Sequence, residues 1–187
     1  MLKQIILATT MGFATISAMA TNTIVEMKTS LGVVEMELYD DKAPITVENF
    51  NRYIKSDFYN GTIFHRVIPG FMIQGGGMTK ELNEKETANM ILNESSNGVL
   101  NKRGTIAMAR RSDANSASSQ FFINLEDNDF LNKTTRNAGY AVFGKVTKGM
   151  DVVDKISKVS TQNRLSHQDV PSEPVEIINM KIKAPTN

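Results

Sequence analysis

The sequence predicts a mainly β domain, an antiparallel barrel or sandwich that is capped by helices. Seven or eight short segments alternate apolar and polar residues, and only two segments have helical spacing. No internal repeat, low-complexity tract or linker divides the 187 residues, a length that suits one domain with a substantial core. An open α+β sandwich fits the same pattern, so the residues alone do not separate it from a barrel.

The first half of the chain contains four predicted strands and one predicted helix. Residues 23–29 and 33–39 alternate apolar and polar side chains on either side of a tight connection, which is typical of two strands that each bury one face. Pro44 suits the first position of a helix, and apolar residues follow it at helical spacing, which predicts a helix over residues 44–55. The next strands are predicted at residues 62–68 and 71–74.

The second half begins with a predicted surface loop. Residues 78–103 contain Asn, Glu, Lys and Gly without strong periodicity. A second helix is predicted over residues 149–158, because its apolar residues recur on one face. A polar loop is predicted to follow over residues 159–174. The remaining strands are predicted at residues 104–109, 121–125, 140–146 and 175–183.

Composition and charge exclude several classes of function. Lys and Arg total 21 against 20 for Asp and Glu, so we expect no basic surface for nucleic acid or for an anionic membrane. The chain has no Cys, which excludes disulfides, thiol catalysis and thiolate metal ligands. Its two histidines, His65 and His167, lie far apart in the sequence, and a zinc site would need several carboxylates besides them. Neither a metal nor a cofactor is therefore predicted.

The first twenty residues have the pattern of a signal peptide. Lys3 precedes an apolar stretch at residues 5–16, and Ala18 and Ala20 supply the small residues that a signal peptidase requires. Cleavage after Ala20 leaves residues 21–187 as the mature domain, expected in the periplasm, with secretion as the alternative. A membrane anchor is the other interpretation, but about twelve apolar residues fall well short of the roughly 20 that span a bilayer. We therefore expect no membrane attachment after cleavage.

Two features that resemble functional motifs favour structural roles. The glycine run at residues 75–77 ends a predicted strand and lacks the lysine and the helix of a phosphate loop, so it predicts a turn or a close backbone approach. His65 has no obvious Ser or Asp partner in the sequence. We predict a structural histidine whose hydrogen bonds are satisfied.

Strand alternation also predicts which side chains share a face. Phe64 and Arg66 are predicted to point the same way, and Phe71 is predicted to face away from Met72 and Gln74. A lone Arg in such a strand is more often a solvated surface residue than a functional one. Gln74 fits an ordinary core least well, because a buried amide needs hydrogen-bond partners.

Two segments combine bulky apolar side chains with single polar groups. Residues 64–76 place Arg66 and Gln74 among apolar neighbours, and residues 104–124 place Gln120 directly before two phenylalanines. An apolar cup with one Arg at its edge suits an uncharged, apolar ligand. A proline ring fits that description.

The same segments carry a resemblance to a known family. Residues 64–76, 104–124 and 140–146 resemble the signature blocks of the cyclophilin-type peptidyl-prolyl cis–trans isomerases, and the match runs in order from the hairpin at residues 29–32 to the closing strand. The sequence is similar to exported bacterial members in particular. The resemblance implies a closed antiparallel β-barrel of eight strands, capped by two α-helices.

The resemblance also implies roles for individual residues. The catalytic arginine of the family falls on Arg66, and two polar residues that hold the substrate backbone fall on Gln74 and Gln120. Ala109 and Arg110 match the stretch that lies along an extended substrate. The proline pocket of the family falls on Phe71, Met72, Phe122 and Leu131.

Three positions depart from the common family pattern. Arg110 follows Ala109 where the family commonly has Asn, so substrate side-chain preference is expected to differ. Phe130 occupies a rim position at which many eukaryotic members have Trp, which implies weak binding of cyclosporin. Tyr140 occupies the place of a histidine near the proline ring, and it keeps an aromatic body with a polar tip.

The resemblance implies an enzyme that isomerises X–Pro bonds in exported polypeptides, without a cofactor. The expected partners are proline-containing polypeptides, and the expected state is a monomer. The alternative is a binding module that captures Pro-containing segments in the same groove, with catalysis incidental. The two hypotheses differ at Arg66, which catalysis requires and peptide binding does not.

Overall fold

The computed structural model describes residues 22–184, so the predicted signal peptide lies outside the described residues. No helix within this range has the length and apolar character needed to cross a membrane. The elements, in chain order, are β1 (Ile24–Thr29), β2 (Gly32–Leu38), α1 (Pro44–Lys55), β3 (Thr62–Ile68), β4 (Met72–Gly75), β5 (Thr105–Met108), β6 (Phe121–Asn124), a 3-10 helix (Asp129–Leu131), β7 (Val142–Lys148), α2 (Met150–Ile156), β8 (Thr161–Arg164), β9 (His167–Pro171) and β10 (Glu176–Ile182).

Eight strands form one closed barrel. Its order is β1-β10-β3-β4-β6-β5-β7-β2, and pairing of β2 with β1 completes the ring. Every neighbouring pair is antiparallel. Closure gives each barrel strand two partners and removes the unpaired edges of an open sheet. The eight-stranded antiparallel barrel with two helices is thus confirmed, and the open sandwich is excluded.

Strand alternation divides the side chains between the inside and the outside of the barrel. Val25 and Met27 of β1 are fully buried, whereas Glu26 between them is partly exposed. Aromatic rings fill much of the interior. Phe50 of α1 packs edge-on against Phe121 of β6, with ring centroids 5.5 Å apart. The core therefore joins α1 to the barrel wall.

Helix α1 begins and ends where the sequence predicts, and the long loop holds its first turn. Glu94 accepts hydrogen bonds from the backbone N–H groups of Ile45 and Thr46, at 3.1 and 2.7 Å. A carboxylate at this position satisfies donors that a helix leaves unpaired and complements the helix dipole. Residues 78–103, which contain Glu94, form no helix or strand, in agreement with the predicted loop.

A two-stranded sheet outside the barrel contradicts the polar loop predicted over residues 159–174. There β8 and β9 form an antiparallel hairpin. All four residues of β8 are exposed, so the strand has no apolar alternation by which a sequence pattern could reveal it. β9 packs against β3, and Val170 of β9 is buried in a small cluster with Ile63, Met78 and Leu82. The hairpin thereby covers part of the outer face of β3.

The glycine run after β4 allows the backbone to approach two other elements closely. Gly76 has a φ of +80°, and a Cβ atom there would lie 2.7 Å from the Phe121 ring and 2.9 Å from the Tyr59 ring. A Cβ atom at Gly77 would meet the side chain of Gln120. The predicted close backbone approach is confirmed.

Replacement of Gly76 by Ala is expected to destabilise the fold through both strain and collision. A left-handed backbone conformation costs an L-residue roughly 1–2 kcal/mol, and an overpacked core adds about 1–3 kcal/mol. Gly61→Ala is a matched control, because Gly61 has a φ of +77° but nothing within 4 Å of its Cβ position. Urea unfolding should show a clearly larger loss of stability for Gly76→Ala. Equal losses for the two variants would contradict the predicted collision.

Candidate active site

The predicted site residues meet on the outer face of four neighbouring barrel strands. Arg66 of β3 pairs with Gln74 of β4, and Gln74 pairs with Phe122 of β6. Phe122 in turn lies opposite Ala107 of β5. Because directly opposed residues point to the same side of a sheet, these residues form one row across the outside of the barrel. The row begins with a cation, continues with an amide and ends on apolar side chains.

A hydrophobic cluster separate from the barrel core underlies this row. Tyr140 packs against the cluster, with its ring edge-on to Phe122 at a centroid distance of 5.7 Å. Leu131 reaches the cluster from the 3-10 helix. The outer cluster consists of the buried residues Met72, Ala107, Phe122, Leu131 and Val142.

A cavity of about 120 Å³ opens above the outer cluster. A cavity of this size and partly apolar lining suits one small ring. Every predicted site residue except Gln120 and Phe130 lines it. The lining residues are Arg66, Phe71, Met72, Gln74, Ala109, Arg110, Phe122, Leu131 and Tyr140.

Gln120 and Phe130 lie beside the cavity. Gln74 donates a hydrogen bond from Nε2 to Oε1 of Gln120 at 2.9 Å, which fixes the two amides relative to each other. The Phe130 ring stacks on Phe71 with centroids 5.5 Å apart and is 66% exposed. Phe130 therefore forms the rim of the cavity rather than its wall.

A second, more polar cavity of about 360 Å³ continues from the first. Gln74, Ala109 and Arg110 line both cavities, and Gln120 lines the second. Because they share these residues, the two cavities form one groove with an apolar end and a polar end.

A β-bulge in β3 decides the direction of Arg66. Phe64 pairs with Gly75 and Arg66 pairs with Gln74, so β3 has one residue more than β4 between the two pairs. The extra residue is His65, and it reverses the alternation. Phe64 consequently lies in the barrel core, while Arg66 lines the outer cavity. The prediction that these two side chains share a face is wrong.

Phe71 also differs from its predicted orientation. It lies in the turn before β4, which begins at Met72, and both side chains contact the outer cluster. Ile73, the next residue, lies in the barrel core. Strict alternation applies only inside a strand, so the prediction that Phe71 faces away from Met72 is wrong.

His65 is buried at the bulge, with 5% of its surface exposed. Its Nδ1 has no hydrogen-bond partner among residues 22–184, so the prediction that its hydrogen bonds are satisfied is wrong. Burial, with a smaller contribution from His167, lowers the pKa of His65 to about 4. Within the same residues, no three His, Cys, Asp or Glu side chains group so that they could hold a metal ion.

Arg66 forms an ion pair with the hairpin outside the barrel. Its Nε lies 3.8 Å from Oδ2 of Asp169 on β9, and the two side chains are 45% and 40% exposed. Water screens a pair as exposed as this one, so its contribution to folding stability is small. The contact does restrict the direction in which the guanidinium points.

Arg110 and Tyr140, two of the departures from the family pattern, contact each other. The Arg110 guanidinium carbon lies 4.5 Å from the centroid of the Tyr140 ring, a cation–π geometry. Nε of Arg110 also donates to the carbonyl oxygen of Gly139 at 3.0 Å. The two departures lie far apart in the sequence, and the structure joins them into one part of the cavity wall.

A buried amide network that the sequence analysis missed supports the apolar end of the groove. Asn128 donates from Nδ2 to the carbonyl oxygen of Phe71 at 2.9 Å and to Oδ1 of Asn124 at 2.8 Å. Asn124 donates to Oδ1 of Asn101 at 3.2 Å. All three asparagines are at most 4% exposed, and such paired amides hold one arrangement of the chain. Asn is common in exposed loops, so its residue type gave no sign of burial.

The depressed pKa of His65 predicts a loss of stability in mild acid. The unfolded chain binds a proton at this histidine near pH 6.5, and the folded chain does so only near pH 4. The contribution of His65 is therefore fully present above pH 6.5 and is lost as the pH falls toward 4. The difference corresponds to about 3 kcal/mol at most. Chemical unfolding measured between pH 7 and pH 4 should show this decline.

Variants separate His65 from other titrating groups. His65→Phe, which keeps an aromatic ring without a titratable nitrogen, should flatten the decline between pH 6.5 and 4. His167→Gln serves as the control and should retain most of it. An undiminished decline in His65→Phe would assign the effect to other residues.

Comparison with known proteins shows the family. The sequence model of the family "Cyclophilin type peptidyl-prolyl cis-trans isomerase/CLD" matches residues 24–182. A peptidyl-prolyl cis-trans isomerase of Acinetobacter baylyi is 60% identical and covers 98% of this chain and 97% of its own. Peptidyl-prolyl cis-trans isomerase A of Dickeya dadantii is 55% identical, with coverage of 91% and 90%. Peptidyl-prolyl cis-trans isomerase B of Escherichia coli is 51% identical, with coverage of 85% and 99%.

Solved structures share the fold. Two crystal structures of a cyclophilin type peptidyl-prolyl cis-trans isomerase from Cryptosporidium parvum have TM-scores of 0.74 and 0.72, at 24% and 26% identity. They cover 88% and 87% of this chain and 99% of their own. The second was determined in the presence of the dipeptide Ala-Pro. The relatives are isomerases, which favours the enzyme over the binding module, and together with the family match they show that this chain belongs to the cyclophilin-type peptidyl-prolyl cis–trans isomerases.

Proposed function

We propose that the cavity binds the proline ring of a substrate polypeptide and that Arg66 promotes rotation about the preceding peptide bond. The observation that carries this proposal is the row in which Arg66 lies beside Gln74 and Phe122, at the edge of a small apolar cavity. The Ala-Pro dipeptide used with a Cryptosporidium parvum relative supports proline as the recognised residue.

The mechanism is non-covalent. Rotation about an X–Pro bond faces a barrier of about 18–20 kcal/mol, because amide resonance gives the C–N bond double-bond character. When the bond is twisted, resonance is lost and the prolyl nitrogen becomes a basic, pyramidal acceptor. A donor aimed at that nitrogen binds the twisted state more strongly than either planar state, which lowers the barrier. The guanidinium of Arg66 stays charged at physiological pH and can donate from its terminal nitrogens.

The other residues of the groove position the substrate. The apolar wall formed by Phe71, Met72, Phe122 and Leu131 holds the ring and excludes water from it. A fixed ring allows the amino-side half of the peptide to rotate against it. Gln74 and Gln120, already linked by a hydrogen bond, can hold the substrate backbone, and Ala109 with Arg110 can align an extended segment. No step of this reaction draws on a metal or a cofactor.

We also propose that the enzyme acts on exported polypeptides in the periplasm as a monomer. The signal-peptide pattern at residues 1–20 supports export, and the family match begins at residue 24, after the expected cleavage point. Cyclosporin binding is expected to be weak, because the exposed rim residue is Phe130 and the chain contains no Trp.

Removal of the Arg66 guanidinium tests the mechanism. Arg66→Ala should slow isomerisation of a short Ala-Pro peptide about 10²- to 10³-fold, the usual effect of losing one well-placed donor worth about 3–4 kcal/mol. Exchange NMR on the peptide measures the rate, and a titration in the same experiment measures binding, which should change only a few-fold. Arg136→Ala removes an equal charge from an exposed loop and should leave both quantities unchanged. Wild-type rates in Arg66→Ala would contradict the assigned role.

Export is tested at the cleavage site. Mass spectrometry of the protein from a periplasmic extract should find a chain that begins at Thr21. Ala18→Phe should block processing, because the peptidase requires a small residue there, whereas Met19→Phe at the position between should not. Full-length protein confined to the cytoplasm would contradict the proposed location.

A further inference from the structure

We propose that Asp169 is a positioning residue for Arg66, so that the hairpin outside the barrel takes part in catalysis. This inference rests on the proposed function of Arg66. Asp169 lies on β9 and Arg66 on β3, and β9 packs directly against β3. Gln74 lies beside Arg66 on the neighbouring strand β4. The guanidinium is thus bordered by a carboxylate from the hairpin and by an amide from the barrel.

The atom that Asp169 contacts matters for catalysis. Oδ2 of Asp169 lies 3.8 Å from Nε of Arg66, the nitrogen nearest to the main chain. The guanidinium is planar, so a contact at Nε restricts the direction of the whole group. Arg66 lines the cavity, and a contact at Nε leaves its two terminal nitrogens available to donate to a substrate. A long, half-exposed side chain without such a contact would spread over several rotamers.

A β-bulge in the hairpin turns Asp169 toward Arg66. Gln162 pairs with Val170 and Arg164 with His167, so β9 has two residues between these pairs where β8 has one. A bulge of this kind redirects a side chain, and bulges are common next to active sites. The hairpin is held in place on one side of the bulge by Val170, which is 1% exposed in the cluster over β3.

The backbone of Asp169 is in an uncommon conformation. Its φ is +56°, in the left-handed region that disfavours side chains other than those of Gly, Asn and Asp. A residue kept in such a conformation near a functional site is consistent with a role there. Asn tolerates this conformation as well as Asp does, so Asp169→Asn removes the charge without adding backbone strain and is the variant used in the test.

Two of the groups next to the ion pair are uncharged near pH 7. His65, next to Arg66 in β3, is buried and neutral near pH 7, since burial lowers its pKa to about 4. His167 lies on the same strand as Asp169, and Gln74 on the other side of Arg66 is uncharged. Within residues 22–184, Asp169 is the only carboxylate in an ion pair with Arg66.

The decisive variant is Asp169→Asn in the otherwise unaltered protein. Isomerisation of a short Ala-Pro peptide, followed by exchange NMR, should slow about three- to tenfold in kcat, with KM nearly unchanged. Glu26→Gln breaks an exposed ion pair with Lys181 between β1 and β10, two strands that line neither cavity of the groove, and should not alter kcat. In an Arg66→Ala background, Asp169→Asn should have no further effect, because the side chain that it positions is gone.

A spectroscopic readout tests the contact without reference to activity. The Nε–H group of Arg66 should give a distinct, restrained ¹⁵N–¹H resonance in the wild type, and Asp169→Asn should shift it and lower its heteronuclear NOE. Unchanged or faster isomerisation in Asp169→Asn, together with a slow Arg66→Ala, overturns the positioning role alone. A fully active Arg66→Ala overturns the proposed function and the positioning role with it.

Discussion

Hydrogen-bonded pairing around the closed barrel makes successive side chains alternate between the core and the outer surface, and the site depends on this alternation. On β3, β4, β6 and β5 the inward residues fill the core. The outward residues on the same strands bring Arg66, Gln74 and Phe122 into one row. The same strand register therefore sets both the core packing and the site geometry. A shift of any of these strands by one residue would exchange its inward and outward side chains.

Two β-bulges interrupt that alternation, one in β3 next to Arg66 and one in β9 at its ion-pair partner Asp169. The bulge at His65 turns Arg66 out of the core, and the bulge in β9 accompanies the unusual backbone of Asp169. At the first bulge the Nδ1 atom of His65 is buried without a hydrogen-bond partner in the part of the chain that the structure describes. A barrel of perfectly regular strands would keep Phe64 and Arg66 on one face, so the irregular positions are the ones that create the combination of cation and apolar cavity.

The wall of the cavity is held by contacts between segments that are distant in the sequence. Asn128 joins the turn at Phe71 to the region of the 3-10 helix, and Arg110 lies on the ring of Tyr140. In this chain the departures at positions 110 and 140 form one cation–π pair, which gives a physical reason for the two residues to occur together. Both contacts therefore fix residues that line the cavity above the outer cluster.

The sequence by itself determined the barrel strands and both helices to within a few residues. The helices and the half-buried strands show a period of 3.6 or two residues, and β5 and β6, which are buried on both faces, form short, largely apolar segments. Through the family blocks the sequence also predicted site residues, most of which the structure brings together around one cavity, whereas the residues alone left the barrel and the sandwich unresolved. The hairpin of β8 and β9 escaped prediction because the side chains of β8 are all exposed. Only the tertiary structure decided the direction of Arg66 and its contact with Asp169. A one-residue bulge leaves the composition of a strand unchanged, and an ion pair between distant strands exists only once they pack together.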